Sequence, residues 1–310
     1  MRNQSRAALG PTVLKALELK RDPFLPPRKL NDIFYGHDAA QVEVCMWDAI
    51  ERPGITAICG EVGSGKSLAV EYFHQKELAT KNQYKVSRVA LHRTDQMGPH
   101  HLCKQILFDV TGDMYQYKEL VAIDVAMRQM SARLMEGGQR LVVIIEEAHL
   151  VPMSTLRDVK TLSEMPKLLQ PNVALVMVGQ PELEARLNQE NLRQLAQRCR
   201  IYKMQGLRSD LGQYVRHCFQ RAGANAGDHF DPEALKMLQD HPSVQTPLEV
   251  NHVCTLALGL KWKNSEERVS RELMLDALSL RDGTDEIDIS APAARTEQAA
   301  PPVARKAANA

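Results

Sequence analysis

The sequence lacks the cysteine and histidine patterns that mark disulfide-rich or metal-stabilised folds. Its six cysteines are scattered and form no C-x-x-C pair, and its ten histidines show no metal-ligand spacing. A disulfide framework and a zinc site are therefore both disfavoured. The cysteines are expected to be reduced thiols inside a cytosolic protein.

Long hydrophobic runs are also missing. No apolar stretch approaches the roughly 18–20 residues that a bilayer-spanning helix needs, and the polar N-terminus does not have the form of a secretory signal. We therefore expect a soluble, cytoplasmic protein with no membrane partner. With 310 residues, 44% of them hydrophobic, the chain can bury one large core or two smaller ones.

Charge of one sign is not in excess. Lys and Arg number 39 against 38 Asp and Glu, so the net charge gives no indication of a nucleic-acid partner. The first 30 residues are locally basic, with Glu18 and Asp22 set against a group of basic side chains: Arg2, Arg6, Lys15, Lys20, Arg21, Arg28 and Lys29. Two interpretations are open for this segment, a solvated arm and a contact with DNA phosphates.

Short apolar runs alternate with helical patterns through the middle of the chain. Strands are predicted at 55–59, 86–91, 141–145, 173–178 and 200–204, and helices between them at 66–80, 99–111 and 120–136. Near-continuous apolar strands that alternate with helices indicate an α/β fold, in which a parallel five-stranded sheet is covered by helices on both faces.

The strand pattern ends near residue 206. Four helices are predicted after it, at 209–222, 231–240, 246–261 and 270–280, and they indicate a small helical domain. The last residues are rich in Ala and Pro and lack an aliphatic pattern, which indicates disorder. The predicted organisation is a basic arm (1–22), an α/β domain (23–205), a helical lid domain (206–281) and a disordered tail (282–310).

One glycine-rich loop carries the clearest chemical signal. The strand ITAIC runs directly into GEVGSGKS (60–67), which matches the P-loop pattern G-x-x-x-x-G-K-[ST] between a strand and a helix. Such a loop turns its backbone N–H groups toward phosphates, its lysine reaches the β- and γ-phosphates, and its serine hydroxyl coordinates Mg²⁺. The predicted nucleotide-binding residues are Gly60, Glu61, Val62, Gly63, Ser64, Gly65, Lys66, Ser67 and Leu68.

A second strand ends in two adjacent glutamates, within LVVIIEEAHL (141–150). A P-loop needs a neighbouring strand that delivers a carboxylate to Mg²⁺ and another beside the attacking water. We therefore expect Ser67 and Glu146 to hold Mg²⁺, the glutamate through the metal's waters. Glu147 is expected to polarise the water that attacks the γ-phosphate; the alternative is that it is only a charge at a helix start.

Two further stretches resemble segments of the AAA+ ATPases. VGQPELEARLNQENLRQLAQRCRIYKM (178–204) is similar to the GQPEL…LRQLAQR segment of general secretion protein A (ExeA) and the transposition ATPases, and EEAHLVPMSTLRDVKTLSEM (146–165) to their EEAH or DEAQ segment. The resemblance covers about residues 23–280 and implies ATP as the nucleotide. The EEAH stretch is also similar to the DEAH-box helicases, but those need two RecA-like domains and a longer chain.

The same resemblance implies roles for two more side chains. Gln180 corresponds to sensor 1, which touches the γ-phosphate or the attacking water, and Arg198 to the arginine finger that a neighbouring subunit supplies. Arg200 and Arg193 are alternatives for this finger, and a surface arginine paired with a local carboxylate is another interpretation. An arginine used in trans implies a homo-oligomer, either a ring or a helical filament, with Lys66, Glu147, Gln180 and Arg198 as catalytic residues.

Two positions depart from the family pattern. Glu146 stands where Asp is usual, and its extra methylene is expected to alter the metal affinity. Leu248, in QTPLEVNHV, stands where the secretion-type relatives carry the sensor 2 arginine. Without that arginine the lid has a weaker hold on the γ-phosphate, so ATP hydrolysis is expected to be slow and stimulated by a partner.

The secretion-type relatives continue into a membrane span and a peptidoglycan-binding domain, and this chain shows neither. It resembles instead the Mu-type transposition protein B and the target-selection ATPases. That resemblance implies an ATPase that binds double-stranded DNA largely without sequence choice, oligomerises on it, and recruits the transposase of the same element. A secretion or cell-envelope ATPase and a P-loop signalling switch without a DNA role are the alternatives.

Candidate DNA contacts follow the second strand, at Arg93, Thr94 and Lys104. In AAA+ rings this part of the chain tends to face the central channel, where basic side chains meet phosphates without reading the sequence. The alternative is a solvated loop face with no role in binding.

Overall fold

Five strands form one parallel sheet in the computed structural model, which describes residues 8–52, 54–90, 98–112, 120–157 and 173–283. The strands are β1 (Ile55–Cys59), β2 (Tyr84–Val89), β3 (Arg140–Ile145), β4 (Val173–Gly179) and β5 (Cys199–Lys203). Their spatial order is β2-β3-β4-β1-β5, and every neighbouring pair is parallel. The predicted parallel five-stranded sheet is confirmed, with β1 in its interior between β4 and β5.

Helices precede, connect and follow these strands. They are α1 (Pro11–Ala16), α2 (His37–Glu51), α3 (Lys66–Phe73), α4 (Pro99–Thr111), α5 (Leu120–Glu136), α6 (Glu182–Leu187), α7 (Arg193–Ala196), α8 (Leu211–Ala222), α9 (Pro232–Asp240), α10 (Pro247–Asn264) and α11 (Arg271–Asp282). A π-helical turn, His74–Leu78, continues α3 to nearly the end that the sequence predicts. Within the described part of the chain, no helix is both long and apolar enough to cross a membrane.

Both faces of the sheet are buried, as near-continuous apolar strands require. Alternate residues of β3 point to opposite faces. Val142 and Ile144 pack in one cluster with residues of α2 and α3, whereas Val143 and Ile145 pack in another with residues of α4 and α5. The sheet is therefore held rigidly between two helical layers, and the loops at its carboxyl end project from a fixed base.

Helix α2 is an element that the sequence patterns did not single out. It follows the proline-rich stretch DPFLPPRKL and buries Val42, Met46, Ala49 and Ile50 on one face. These positions are spaced by four, three and one residues, which is the spacing of a single helical stripe. They pack against the sheet in the cluster that also contains α3.

Residues 8–22, within the predicted basic arm, pack onto the helical domain through their apolar side chains. Leu9, Val13, Leu17 and Leu19 are buried among the residues of α8 to α11 in a third core cluster. The basic side chains of Lys15 and Lys20 remain exposed. Residues 1–7 lie outside the described residues, and so does the predicted tail from residue 284 onward.

Two carboxylates join the helical domain to the sheet domain near the predicted boundary at residue 206. Asp38, in the first turn of α2, accepts hydrogen bonds from the N–H groups of Gln205 (3.0 Å) and Gly206 (2.8 Å). In return Asp210 accepts from the N–H of His37 at 2.6 Å. The start of α2 and the segment that leads into the helical domain are thus tied to each other directly.

Candidate active site

The glycine-rich loop joins the end of β1 to the start of α3. Gly63 and Gly65 have φ values of +77° and +91°, in the left-handed region that favours glycine, and Gly65 is the N-cap of α3. The N–H of Gly60 donates to the carbonyl of Gly179 at the end of β4, at 3.2 Å. The loop therefore wraps around the N-terminus of α3, where backbone N–H groups and the helix dipole favour a phosphate.

Lys66 lies across this loop. Its Nζ donates to the carbonyl oxygens of Gly60 (2.7 Å) and Glu61 (2.8 Å) and lies 3.5 Å from Ser64 Oγ. Burial lowers the pKa of Lys66, while the negative charges of Glu147 and Glu61 act in the opposite direction. The carbonyl oxygens of the loop therefore hold the ammonium group. A bound phosphate would take their place.

The residues predicted to hold magnesium are brought together. Ser67, in the first turn of α3, donates from Oγ to Oε2 of Glu146 at 3.2 Å, although the two residues are 79 positions apart. Glu146 directly follows β3 and exposes 14% of its side chain. A hydroxyl and a carboxylate in contact are the oxygen donors that Mg²⁺ takes, so these residues fit that ion.

Glu147 adopts an unusual backbone conformation. Its φ of +50° and ψ of +36° are left-handed, a region that costs a non-glycine residue about 1–2 kcal/mol. This turn directs the chain away from β3, and the Glu147 side chain remains about half exposed. The turn thus leaves the Glu147 carboxylate accessible, and strained residues of this kind cluster at functional sites.

A histidine side chain lies close to both Glu147 and Gln180. His149 is partly buried, and its Nδ1 lies 3.6 Å from Oε2 of Glu147 and accepts the N–H of Gln180 at 3.3 Å. Gln180 directly follows β4 and is thereby placed beside the two glutamates at the end of β3, as expected. Arg186 donates to the carbonyls of His149 and Val151 and holds this turn against α6.

The first turn of α10 lies directly on the glycine-rich loop. Thr246 and Glu249 form the capping box that the sequence indicates, with the Glu249 N–H to Thr246 Oγ1 at 3.3 Å and the Thr246 N–H to Glu249 Oε2 at 2.9 Å. Leu248, within this turn, donates from its N–H to the carbonyl of Gly63 at 3.4 Å. The lid residue that replaces the expected arginine therefore contacts the phosphate loop with an apolar side chain.

Arg198, the preferred finger candidate, lies away from this loop in its own chain. Arg198 is exposed and immediately precedes β5. Because Cys199 pairs with Ile55 and Lys203 with Cys59, Arg198 lies at the end of the sheet opposite the loop, about 15 Å along the strands. Arg200 forms an ion pair with Asp48 of α2, which is the local pairing considered as an alternative.

Only one of the three candidate DNA contacts lies within the described residues. Arg93 and Thr94 lie outside the described residues. Lys104 is described and lies half-buried on α4. The structure does not bring Lys104 into contact with the glycine-rich loop or the two glutamates through any described hydrogen bond or ion pair.

Sequence reasoning missed Arg88 of β2. Its Nη2 lies 2.8 Å from Oε1 of Glu146, and its Nη1 contacts Glu71 of α3. The available signal was a charged residue inside the otherwise apolar pattern VSRVAL, at the strand adjacent to the one that carries the glutamates.

Comparison with known proteins agrees with this geometry. Residues 49–187 match the family model described as an AAA domain. General secretion pathway protein A of Aeromonas hydrophila is 29% identical over 223 residues, which is 70% of this chain. The chain spans only 38% of the length of that relative.

Solved structures share the fold at low sequence identity. Cdc6p from Pyrobaculum aerophilum has a TM-score of 0.56 at 13% identity, covering 83% of this chain and 70% of its own. Drosophila ORC bound to DNA has a TM-score of 0.56 at 14% identity, covering 92% and 70%. The Aeropyrum pernix ORC1 protein in complex with DNA has a TM-score of 0.52 at 14% identity, covering 84% and 68%. The chain has the AAA+ P-loop fold, as its sequence implied.

Proposed function

We propose that this chain is an ATP-dependent DNA-binding ATPase of the AAA+ class, which assembles on double-stranded DNA and regulates transposition by recruiting a transposase. The observation that carries the ATPase part is the contact between Ser67 and Glu146, with Oγ and Oε2 3.2 Å apart at the mouth of the glycine-rich loop. A loop for phosphates and an oxygen pair for a metal lie at the same end of the sheet.

Nucleotide binding follows from the loop. The N–H groups around Gly63 and Gly65 face the phosphates, and Lys66 exchanges its carbonyl partners for the β- and γ-phosphates. Ser67 and Glu146 would hold Mg²⁺, which would supply positive charge to neutralise the phosphates. Leu248 covers the loop from the lid and supplies no charge to the phosphate.

Hydrolysis depends on the residues at the ends of β3 and β4. Glu147 accepts a hydrogen bond from the attacking water and takes its proton, and Gln180 orients that water. His149 holds the backbone at Gln180, since its Nδ1 accepts the Gln180 N–H. A general base of this kind contributes a factor of roughly 10²–10⁴ in rate.

The site is incomplete within one chain. Arg198 lies at the opposite end of the sheet from Lys66 and is exposed, so it serves the site of a neighbouring copy. Arg198 is preferred because it matches the family position, and Arg200 forms an ion pair with Asp48. An oligomer with ATP between subunits, as a ring or a filament, follows from this assignment.

DNA is the proposed partner because the chain resembles the Mu-type transposition ATPases. Its GQPEL…LRQLAQR and EEAH segments are common to those ATPases and general secretion protein A. The fold is also that of the Drosophila ORC and the Aeropyrum ORC1 protein, whose structures contain DNA. That likeness concerns the fold. Arg93, Thr94 and Lys104 remain the proposed contacts with DNA phosphates.

A second candidate function is an ATPase of secretion or the cell envelope. The 29% identity to General secretion pathway protein A favours it. A P-loop signalling switch without a DNA role is a third candidate. All three share the ATP site and differ in the partner, so they make different predictions about DNA.

Calorimetric titration with ATP and Mg²⁺ tests the shared site. The wild-type chain is expected to bind ATP, and Lys66→Ala is expected to abolish binding. Absence of any heat of binding to adenine nucleotides would refute the ATPase assignment and everything built on it.

A gel-shift assay with random-sequence duplex DNA tests the partner. We expect binding with ATP but not with ADP or without nucleotide, and a steep loss of affinity as salt increases, because phosphate contacts release counterions. Binding that does not respond to nucleotide, or no binding at all, would contradict the transposition proposal and favour the secretion or signalling alternatives.

A further inference from the structure

Arg88 lies between two carboxylates beside the proposed metal site. Its Nη2 contacts Oε1 of Glu146 at 2.8 Å, and its Nη1 contacts a carboxylate oxygen of Glu71. All three side chains are largely covered, with exposed fractions of 30% for Arg88, 28% for Glu71 and 14% for Glu146. Charged hydrogen bonds of this kind, shielded from water, are stronger than those on an open surface.

The register of β2 against β3 and the position of α3 bring Arg88 to these two carboxylates. Arg88 pairs with Ile144 in the register of β2 and β3, and residues 144 and 146 point to the same face of the chain because side chains alternate along a strand. On that face lies α3, where Ser67 and Glu71 are four residues apart and share one helical face. Arg88 is therefore enclosed by β3 and α3.

The two oxygens of Glu146 have different partners. Oε1 is occupied by Arg88, whereas Oε2 accepts the hydroxyl of Ser67. Ser67, Glu146, Arg88 and Glu71 thus form a closed ring of contacts that begins and ends on α3. A glutamate has one more torsion than the aspartate usual at this position, and the forked guanidinium removes the freedom that this torsion adds.

We propose that Arg88 is a positioning residue for the metal site, which holds the Glu146 carboxylate so that Oε2 faces Ser67. Glu71 fixes Arg88 and neutralises it, because a lone cation at this place would repel a divalent ion. This inference rests on the proposed ATPase function and names a residue through which Glu146 acts.

One pair of substitutions separates the effect of local charge from the effect of the position of the Glu146 carboxylate. Glu71, Arg88 and Glu146 together carry a formal charge of −1. The double variant Arg88→Ala/Glu71→Gln keeps this value, since it removes one positive and one negative charge. A changed response to Mg²⁺ in that variant reports the lost position of Glu146 rather than a changed field.

The measurement is the affinity for a fluorescent ATP analogue, first with EDTA and then with excess Mg²⁺. The ratio of the two dissociation constants gives the gain in affinity from the metal. In the double variant we expect the EDTA affinity to stay at the wild-type value and the Mg²⁺ gain to fall about fivefold, the effect of one side chain that must be immobilised on binding. Arg88→Lys, which keeps the charge but lacks the fork, is expected to lower the gain about twofold.

The control is the Glu146→Gln variant, in which the same measurement is repeated. There the same double substitution is expected to leave the Mg²⁺ gain unaltered, because the carboxylate on which Arg88 acts has been removed. A purely structural role of Arg88 would instead change the EDTA affinity and would persist in this background.

The outcomes separate this inference from the function on which it rests. An unchanged Mg²⁺ gain in the double variant, with normal binding in EDTA, overturns the role of Arg88 and leaves the ATP site in place. A loss of equal size in the Glu146→Gln background also overturns it. No ATP binding by the wild-type chain in either condition overturns both.

Discussion

Gly63 and Gly65 have similar backbone conformations but very different surroundings. Both have positive φ, +77° and +91°. A Cβ added at Gly65 would meet nothing within 4 Å, whereas a Cβ added at Gly63 would lie 2.3 Å from the Cβ of Leu248. Replacing each glycine with alanine therefore separates backbone strain from the contact between the loop and the lid.

The two costs can be assigned from the geometry. Either substitution places an alanine in the left-handed region, at about 1–2 kcal/mol. At Gly63 the new methyl group also collides with an atom that is fixed to the backbone of α10, so the first turn of the lid helix must move. Overpacking of this kind costs about 1–3 kcal/mol. We expect Gly63→Ala to be less stable than Gly65→Ala by that second amount.

Urea unfolding of the two variants in the absence of nucleotide provides the assay, with the midpoint and slope compared under identical conditions. Hydrogen exchange over residues 246–251 gives an independent reading, since only Gly63→Ala should loosen the start of α10. Leu248→Ala is the control: it keeps the Cβ that causes the collision, so Gly63→Ala should remain destabilising beside it. Equal loss of stability in the two glycine variants would refute the proposed contact between loop and lid.

Three further results are expected. Glu147→Gln should bind ATP normally and lower the hydrolysis rate by roughly 10²–10⁴, and rapid turnover in a phosphate-release assay would exclude its role as the base. Arg198→Ala should lower turnover by about 10³ or more while Arg200→Ala, the control, has a small effect, and mixing Arg198→Ala with Glu147→Gln subunits should restore some activity if the arginine acts in trans. Burial and the nearby Lys261 lower the pKa of His229 to about 4, against an ordinary value of 6.5. Because the unfolded chain then binds more protons, stability should fall as the pH drops from about 6.5 toward 4, by up to about 3 kcal/mol. In the variant His229→Gln, the urea midpoint should depend less on pH over the same interval. A pH dependence equal to that of the wild-type chain would contradict the role of His229.

The elements of the sheet domain were predictable because their signals are local. The central strands are short runs whose residues are apolar on both faces, and β1 and β4 are buried along their whole length. The start of α10 was also predictable, since its capping box involves residues three positions apart. Such patterns depend on residues that are close together in the chain, so they can be recognised without the tertiary structure.

The N-terminal segment shows a packing contact that the sequence patterns did not reveal. Its basic side chains are conspicuous in the sequence, but Leu9, Val13 and Leu17 decide its position by packing into the core of the helical domain. Burial of apolar area outweighs the preference of a few charged groups for water, because long basic side chains can keep their charge exposed while their neighbours are buried.

The candidate site also contains residues that the sequence predicted and one that it did not. The pattern of residues 60–67 and the pair Glu146–Glu147 were readable because a phosphate loop and a strand-end carboxylate are defined by adjacent residues. Arg88 was not readable, because its partner is 58 positions away and the contact depends on the register of β2 against β3.

Sequence alone thus determined the glycine-rich loop, the acidic strand end and the alternation that builds the sheet, because all three patterns are short-range. Only the tertiary structure decided how those parts meet, with Leu248 resting on Gly63 and Arg88 holding Glu146. The physical reason is that such contacts are selected by the packing of whole helices and strands. A residue's neighbours in space are then set by the burial of many others rather than by its own position in the chain.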